Sequence, residues 1–418
     1  MAAATFAVYP EGSSAQDGRL RIGGCDAVEL AREFGTPAYV MAEDDLRARA
    51  RAFKAALETH HDGPGEVIFA SKACPATAVL RLFAEEGLGC DVASGGELHL
   101  ALKAGFAPER IYLHGNAKSQ EELRLGVAAG IGWVVVDNAE DVEKLARVLA
   151  PGKRQRVLLR IRPGVDADTH AAILTGHAES KFGLDPREAR ALAQDPPAHL
   201  DVHGFHFHLG SQLVDPTPYR AAIGVLAGLG EQPVYSLGGG YAVAYTDDDR
   251  PPGIEASVAA VVEAAHDQLG ADKQLVIEPG RALVANAGVT LYTVESVKRL
   301  PGGGRIVAVD GGMSDNPRPM LYDAAYDARM ADRFGQAGEP ATVVGKHCES
   351  GDVLVRRAHL PEARAGDVLV TPVTGAYGHA MASNYNGLRR PPLVFCAGGE
   401  ARAVVRRETY EELGARDV

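Results

Sequence analysis

The chain has 418 residues, 46% hydrophobic and 23% charged, a globular balance that sets aside disorder, collagen and coiled coil for the whole. Its 43 basic and 55 acidic residues leave a net charge of −12, without the basic footprint of a nucleic-acid binder. No apolar run reaches the roughly 18 residues of a membrane span, and the opening MAAATFAVYPEGSS lacks the pattern of a signal peptide.

Two short strand-like pieces, FAVYP and RLRIGG, lie within the first 35 residues. Eight apolar, β-branched runs with polar or glycine-rich ends follow. They are EVIFASK (66–72), GCDVAS (89–94), IYLHGN (111–116), GWVVVDN (132–138), VLLRIRPG (157–164), VHGFHFHLGS (202–211), VYSLGGG (234–240) and QLVIEPGR (274–281). Helical stretches such as ATAVLRLFAEEG, GGELHLALKAG, SQEELRLGVAAG and AEDVEKLARVLA separate them. The first four runs recur about every 22 residues, room for a strand, a helix and two short loops. Strands apolar enough to be covered on both faces predict a (β/α)8 TIM-like barrel over 36–284, with an open doubly wound sheet as the competing arrangement. After about residue 285 the pattern becomes strands between glycine and proline turns, with a helical piece near 322–334. This predicts an α/β plus all-β chain whose β-rich domain is discontinuous, 1–35 and 285–418. The five cysteines (Cys25, Cys74, Cys90, Cys348, Cys396) are odd in number and far apart, so neither a disulfide framework nor a zinc motif is expected, and a cytoplasmic location is.

A barrel of this kind carries its site at the C-terminal ends of its strands. There the runs end in Lys72, Asp91, His114 with Asn116, Asp137, Arg160, His208 with Ser211, Gly238 to Gly240, and Glu278 with Arg281. Any one of these reads equally well as a cap or a solvated rim residue; their coincidence at nearly every strand end carries the weight. Lys72 is either an imine-forming amine or a snorkelling rim lysine. SLGGGY offers backbone N–H groups to a phosphate, or is a tight turn. EPGR sets a carboxylate and a guanidinium across a Pro-Gly turn, as an anion site or a surface ion pair. His206 and His208 would share a strand face, but no further ligand follows at metal spacing, and no metal is expected. GKHCESGD places the Cys348 thiol beside Glu349.

Taken in order, FASKACP, GCDVASGGEL, LHGNAKS, SKFG, HFHLGSQ, SLGGGY, EPGR, VDGGMSDNPRPMLY, GKHCESGD and GAYGHAMASNYN resemble the fold-type III pyridoxal-phosphate decarboxylases with an alanine racemase-like fold. Within them the strings are similar to the diaminopimelate decarboxylases, in VDGGMSDN and VGKHCESGD to the actinobacterial type. One departure is Ala73-Cys74 after the lysine, where the family usually has KAN or KAF.

The resemblance implies a barrel joined to a C-terminal β-barrel or sandwich domain, and a homodimer with shared active sites. It implies pyridoxal 5'-phosphate as cofactor, with Lys72 bound to its aldehyde, His208 on its ring, Glu278 at the ring nitrogen and Asp91 in support. Ser211, Gly238, Gly239, Gly240, Gly280, Arg281 and Tyr377 would hold the phosphate. Arg281, Arg318, Tyr322, Glu349 and Tyr377 would surround an amino-acid substrate, with Arg318 on the distal carboxylate and Glu349 on the distal ammonium. Cys348 would be the general acid, with Lys72 and His208 the other catalytic groups; Arg160 and Asn116 would stand behind them. The implied reaction is decarboxylation of meso-2,6-diaminopimelate to L-lysine. Alternatives are a related decarboxylase acting on another amino acid in specialised metabolism, and a non-catalytic pyridoxal-phosphate carrier.

Overall fold

The computed structural model describes residues 6–165, 176 and 180–418. The chain forms two compact units. One comprises Arg49–Ala242 and Pro251–Ala282, the other the chain up to Ala48 with Val243–Arg250 and Leu283–Val418. Residues 36–48, 243–250 and 283–284, expected on the barrel side, thus group with the β-rich unit.

The first unit is a closed barrel of parallel strands, in chain order Gly65–Ala70, Gly89–Val92, Ile111–Leu113, Trp133–Val136, Gln155–Arg160, Leu200–His206, Val234–Ser236 and Gln274–Ile277. The last strand pairs with the first, Val276 opposite Glu66 and Ile277 opposite Val67, which excludes the open sheet. Helices Thr77–Glu85, Gly95–Ala104, Gln120–Ala129 and Ala139–Val148 fill the first crossovers. The side chains of Ser94, Ser119 and Asn138 accept hydrogen bonds from the first-turn amides of the last three, so each strand-to-helix turn ends in a capped N-terminus.

One buried cluster joins Ile68, Tyr112, Trp133, Val135, Leu158, Val234 and Val276, drawn from six of the eight strands. Side chains two residues apart on a strand share a face. The next positions on that face are Ala70, His114, Asp137, Arg160, Ser236 and Glu278. The alternation that fills the barrel with apolar groups therefore delivers polar ones to its C-terminal mouth.

In the second unit, Ala38–Ala42 lies between Gly288–Arg299, antiparallel, and Leu393–Ala397, parallel. Gly288–Arg299 also pairs with Arg305–Val309 and Val368–Pro372, and the sheet continues through Glu339–Val344 and Val353–Leu360. Ser14–Gln16, Arg19–Ile22 and Cys25–Asp26 form a small sheet of their own. Two expectations need correction. FAVYP is a turn, with the Tyr9 amide donating to the Phe6 carbonyl. The helical piece is Arg318–Tyr322 rather than 322–334, because Asp323 adopts a left-handed φ of 49° that ends it, and a strand Arg329–Met330 follows.

Candidate active site

Glu278 follows the last barrel strand and is 4% exposed. Its Oε1 accepts from the Ser236 hydroxyl at 2.6 Å, and its Oε2 lies 3.3 Å from His206 Nε2. His114 Nε2 stands 3.6 Å from Oε1 and 3.9 Å from Asp91 Oδ1. Burial alone would push the Glu278 carboxyl up, but His206, His114 and the Ser236 hydroxyl outweigh it and hold the carboxyl well below its ordinary range. Asp91 has no such donor among the described residues. Burial lifts it to about 8 against the pull of Lys72, with the Glu278 charge adding to the rise. The two carboxyls are thus pushed apart, one ionised and one protonated at neutral pH.

Lys72 sits in the one-turn 3-10 helix Ser71–Ala73 just past the first strand, exposed to solvent. Its charge acts on Asp91, His114 and His208, which puts the amine at this cluster. Cys74 behind it is fully buried, its thiol pushed up to about 12 by desolvation, so the departure from the family pattern is an inert packing change. Arg160, 7% exposed, lies 3.5 Å from Asp137 Oδ1 and over the Phe182 ring at 4.2 Å.

The glycine run after the seventh strand packs on the neighbouring strand ends. A Cβ on Gly238, whose φ is +69°, would meet the Phe207 carbonyl at 2.4 Å, and one on Gly239 the Glu278 carbonyl at 2.2 Å. The Gly239 amide donates to His208 Nδ1 at 3.1 Å, so the lone pair of that ring faces the loop and its other nitrogen carries the proton. Burial holds the His208 ring well below its ordinary value, hence neutral. Arg281 donates from Nε and Nη2 to the Ser211 hydroxyl at 3.2 and 2.8 Å. A neutral ring, a bare-backbone loop and a guanidinium–hydroxyl pair therefore converge at one end of the barrel.

Within the β-rich unit, Arg318 is 5% exposed and donates from Nη1 to the Tyr326 hydroxyl at 2.6 Å. Its guanidinium lies over the rings of Tyr245 at 4.6 Å and Tyr377 at 6.0 Å. Tyr377 holds a left-handed φ of 67°, uncommon for a residue with a side chain. Tyr322 closes the short helix that Arg318 opens and is half-buried. Cys348 and Glu349 are both exposed, on a loop pinned by Asp352. The Asp352 carboxylate accepts from Met313 N at 2.7 Å, His347 N at 2.9 Å and His347 Nδ1 at 2.8 Å. It thereby ties the GGMSDN segment to GKHCESGD. The Tyr385 hydroxyl donates to Glu349 Oε1, and the Cys348 amide donates to Asn386 at 3.1 Å.

The reading of the sequence missed His206 and Ser236 as partners of Glu278, and gave His114 no role beside it. The signal was available: each lies two residues beyond a core position of its strand, or on that same face.

The chain matches the family described as pyridoxal-dependent decarboxylase, pyridoxal binding domain, over residues 43–285. Diaminopimelate decarboxylase of Bacillus subtilis is 45% identical, over 96% of this chain and 96% of its own. The enzyme of that name from Actinosynnema pretiosum is 46% identical, over 98% and 95%. A crystal structure of diaminopimelate decarboxylase from M. jannaschii with L-lysine bound aligns with TM-score 0.89 at 33% identity, covering 98% of both chains.

Proposed function

The chain belongs to the pyridoxal-dependent decarboxylase family, and on that premise we propose that it removes one carboxyl group from meso-2,6-diaminopimelate, leaving L-lysine and carbon dioxide. The observation that carries the chemistry is the barrel mouth, where an exposed lysine, a neutral histidine, an ionised buried carboxylate and a glycine–arginine cradle stand together.

These residues fit pyridoxal 5'-phosphate. The cradle is cationic and free of side chains at one end, and the buried carboxylate lies at the other. Lys72 would bind the aldehyde, His208 face the ring, and Ser211, Gly238 to Gly240, Gly280, Arg281 and Tyr377 hold the phosphate. When bound, the cofactor supplies a sink for the electron pair released with CO2. Glu278, kept ionised by His206, His114 and Ser236, is suited to hold a proton on a ring nitrogen. Asp91 supports it from the second strand, across the first.

The rest of the chain grips the substrate so that the scissile bond is oriented and stays so. Arg318, already stacked on the rings of Tyr245 and Tyr377, offers a desolvated guanidinium for the distal carboxylate, and Arg281, Tyr322 and Tyr377 would bind other parts of the substrate. Glu349 takes the distal ammonium. A site with buried polar groups for the far end disfavours a substrate that lacks it, since they would be left unpaired. Cys348 delivers the proton to Cα. Its exposure together with Glu349 fits a homodimer in which this loop completes the partner's site. All five cysteines are free, which fits the cytoplasm, and no helix among the described residues is long and apolar enough to cross a membrane.

Two assays test the proposal. The purified protein should release CO2 from meso-diaminopimelate and not from lysine, ornithine or arginine; release from ornithine alone would overturn the substrate. Lys72→Ala should abolish both the visible absorption of bound cofactor and turnover, and retained turnover would refute its role.

A further inference from the structure

We propose that the barrel, when free of cofactor, binds one late first-row divalent cation such as zinc or cobalt through His114 Nε2, His206 Nε2 and the Glu278 carboxylate, and that this cation and the cofactor exclude each other. The three groups come from the third, sixth and eighth strands, and all are buried.

Two of their separations match a coordination sphere. Bonds of about 2.0–2.1 Å in a tetrahedron place neighbouring ligand atoms roughly 3.4 Å apart. Here His206 Nε2 lies 3.3 Å from Glu278 Oε2, and His114 Nε2 lies 3.6 Å from Oε1. All the ligand atoms fall within 4.8 Å of one another. The rings meet edge to face at 75°, with centroids 5.0 Å apart, so both nitrogens face the carboxylate without the rings stacking.

Two of the groups already meet, His206 Nε2 hydrogen-bonding Glu278 Oε2 at 3.3 Å, and ligation would shift the His206 proton to Nδ1. His114 Nε2 is buried and has no hydrogen-bond partner among the described residues. Two imidazoles and one carboxylate suit zinc, cobalt and nickel over calcium or magnesium. The fourth position falls to water or to Asp91, 3.9 Å from His114. The charges of Lys72 and Arg160 act on the same cluster and oppose a cation, so binding weaker than that of a structural zinc site is expected.

The exclusion rests on the reading above that Glu278 meets the cofactor's ring nitrogen; the metal site itself does not. The probe is Co2+, titrated into the full-length, cofactor-free chain carrying Cys348→Ser to silence the exposed thiol. One equivalent should bind with the intense visible bands of a tetrahedral centre. His114→Gln and His206→Gln should each weaken it tenfold or more, while His99→Gln, an exposed helix position, leaves it unchanged. Circular dichroism checks that the variants fold. On the unmutated barrel, protein whose cofactor has been fixed by borohydride should bind no Co2+ there. Absence of the bands, or equal affinity in all three histidine variants, would overturn the metal site. Bands that persist while cofactor loads at its metal-free rate would overturn the placement of the ring nitrogen on Glu278 and leave the metal site standing.

Discussion

Lys118 Nζ and Asp141 Oδ2 are 2.6 Å apart, with side chains only 2% and 0% exposed. Lys118 also donates to the Gly115 carbonyl at 2.7 Å, and Asp141 Oδ2 accepts from the Asp137 amide at 3.0 Å. The pair thus joins the loop after the third barrel strand to the first turn of the helix after the fourth. A buried ion pair contributes little over a well-packed apolar one, but removing one partner strands a charge, at about 3–5 kcal/mol. Lys118→Met or Asp141→Leu alone should therefore lower the urea midpoint more than the two together. Singles that unfold at the wild-type midpoint would show the pair to be energetically idle.

The glycine loop makes a steric prediction. Gly239→Ala would put a methyl 2.2 Å from the Glu278 carbonyl and force the loop away from it. Cofactor affinity should fall tenfold or more, about 1.4 kcal/mol, when followed by absorbance titration. Gly253→Ala, with nothing within 4 Å of its Cβ and an ordinary φ, is the control and should bind cofactor normally.

Cys348 is exposed and outside the barrel unit, so its loss should leave cofactor binding intact. If it is the general acid, Cys348→Ala should slow turnover by roughly 10²–10⁴-fold. Mixing it with Lys72→Ala should restore part of the activity through subunit exchange. Proven mixed dimers without recovery would mean that each chain completes its own site.

His61, away from this mouth, titrates against the fold. His61 Nε2 faces the carbonyls of Lys273 at 2.9 Å and Pro64 at 3.2 Å, so it carries the proton. His61 Nδ1 then accepts from His266 Nε2 at 2.8 Å. Protonating His61 would destroy that acceptor, and burial already lowers its pKa. A histidine depressed in the folded state binds more protons when unfolded, so its stabilisation is complete above the unfolded value of about 6.5 and is lost as pH falls below it. Between about pH 7 and 5 the thermal midpoint should drop less steeply in His61→Asn than in the parent. Parallel slopes would show that His61 does not contribute.

Much of this protein can be read without coordinates. Alternation along each run marks its buried face, and the same parity carries it to the polar residue at the mouth: Tyr112 leads to His114, Leu158 to Arg160, Val276 to Glu278. Such information is local, because two residues on one strand share a face whatever lies beside them. Which strands become neighbours is not local. Closure of Gln274–Ile277 onto Gly65–Ala70, the insertion of Ala38–Ala42 between two strands of the β-rich sheet, and the meeting of His114, His206 and Glu278 all depend on pairings between segments far apart in the chain. The pKa split between Glu278 and Asp91 exists only there, since only tertiary packing removes both carboxyls from water and supplies donors to one of them.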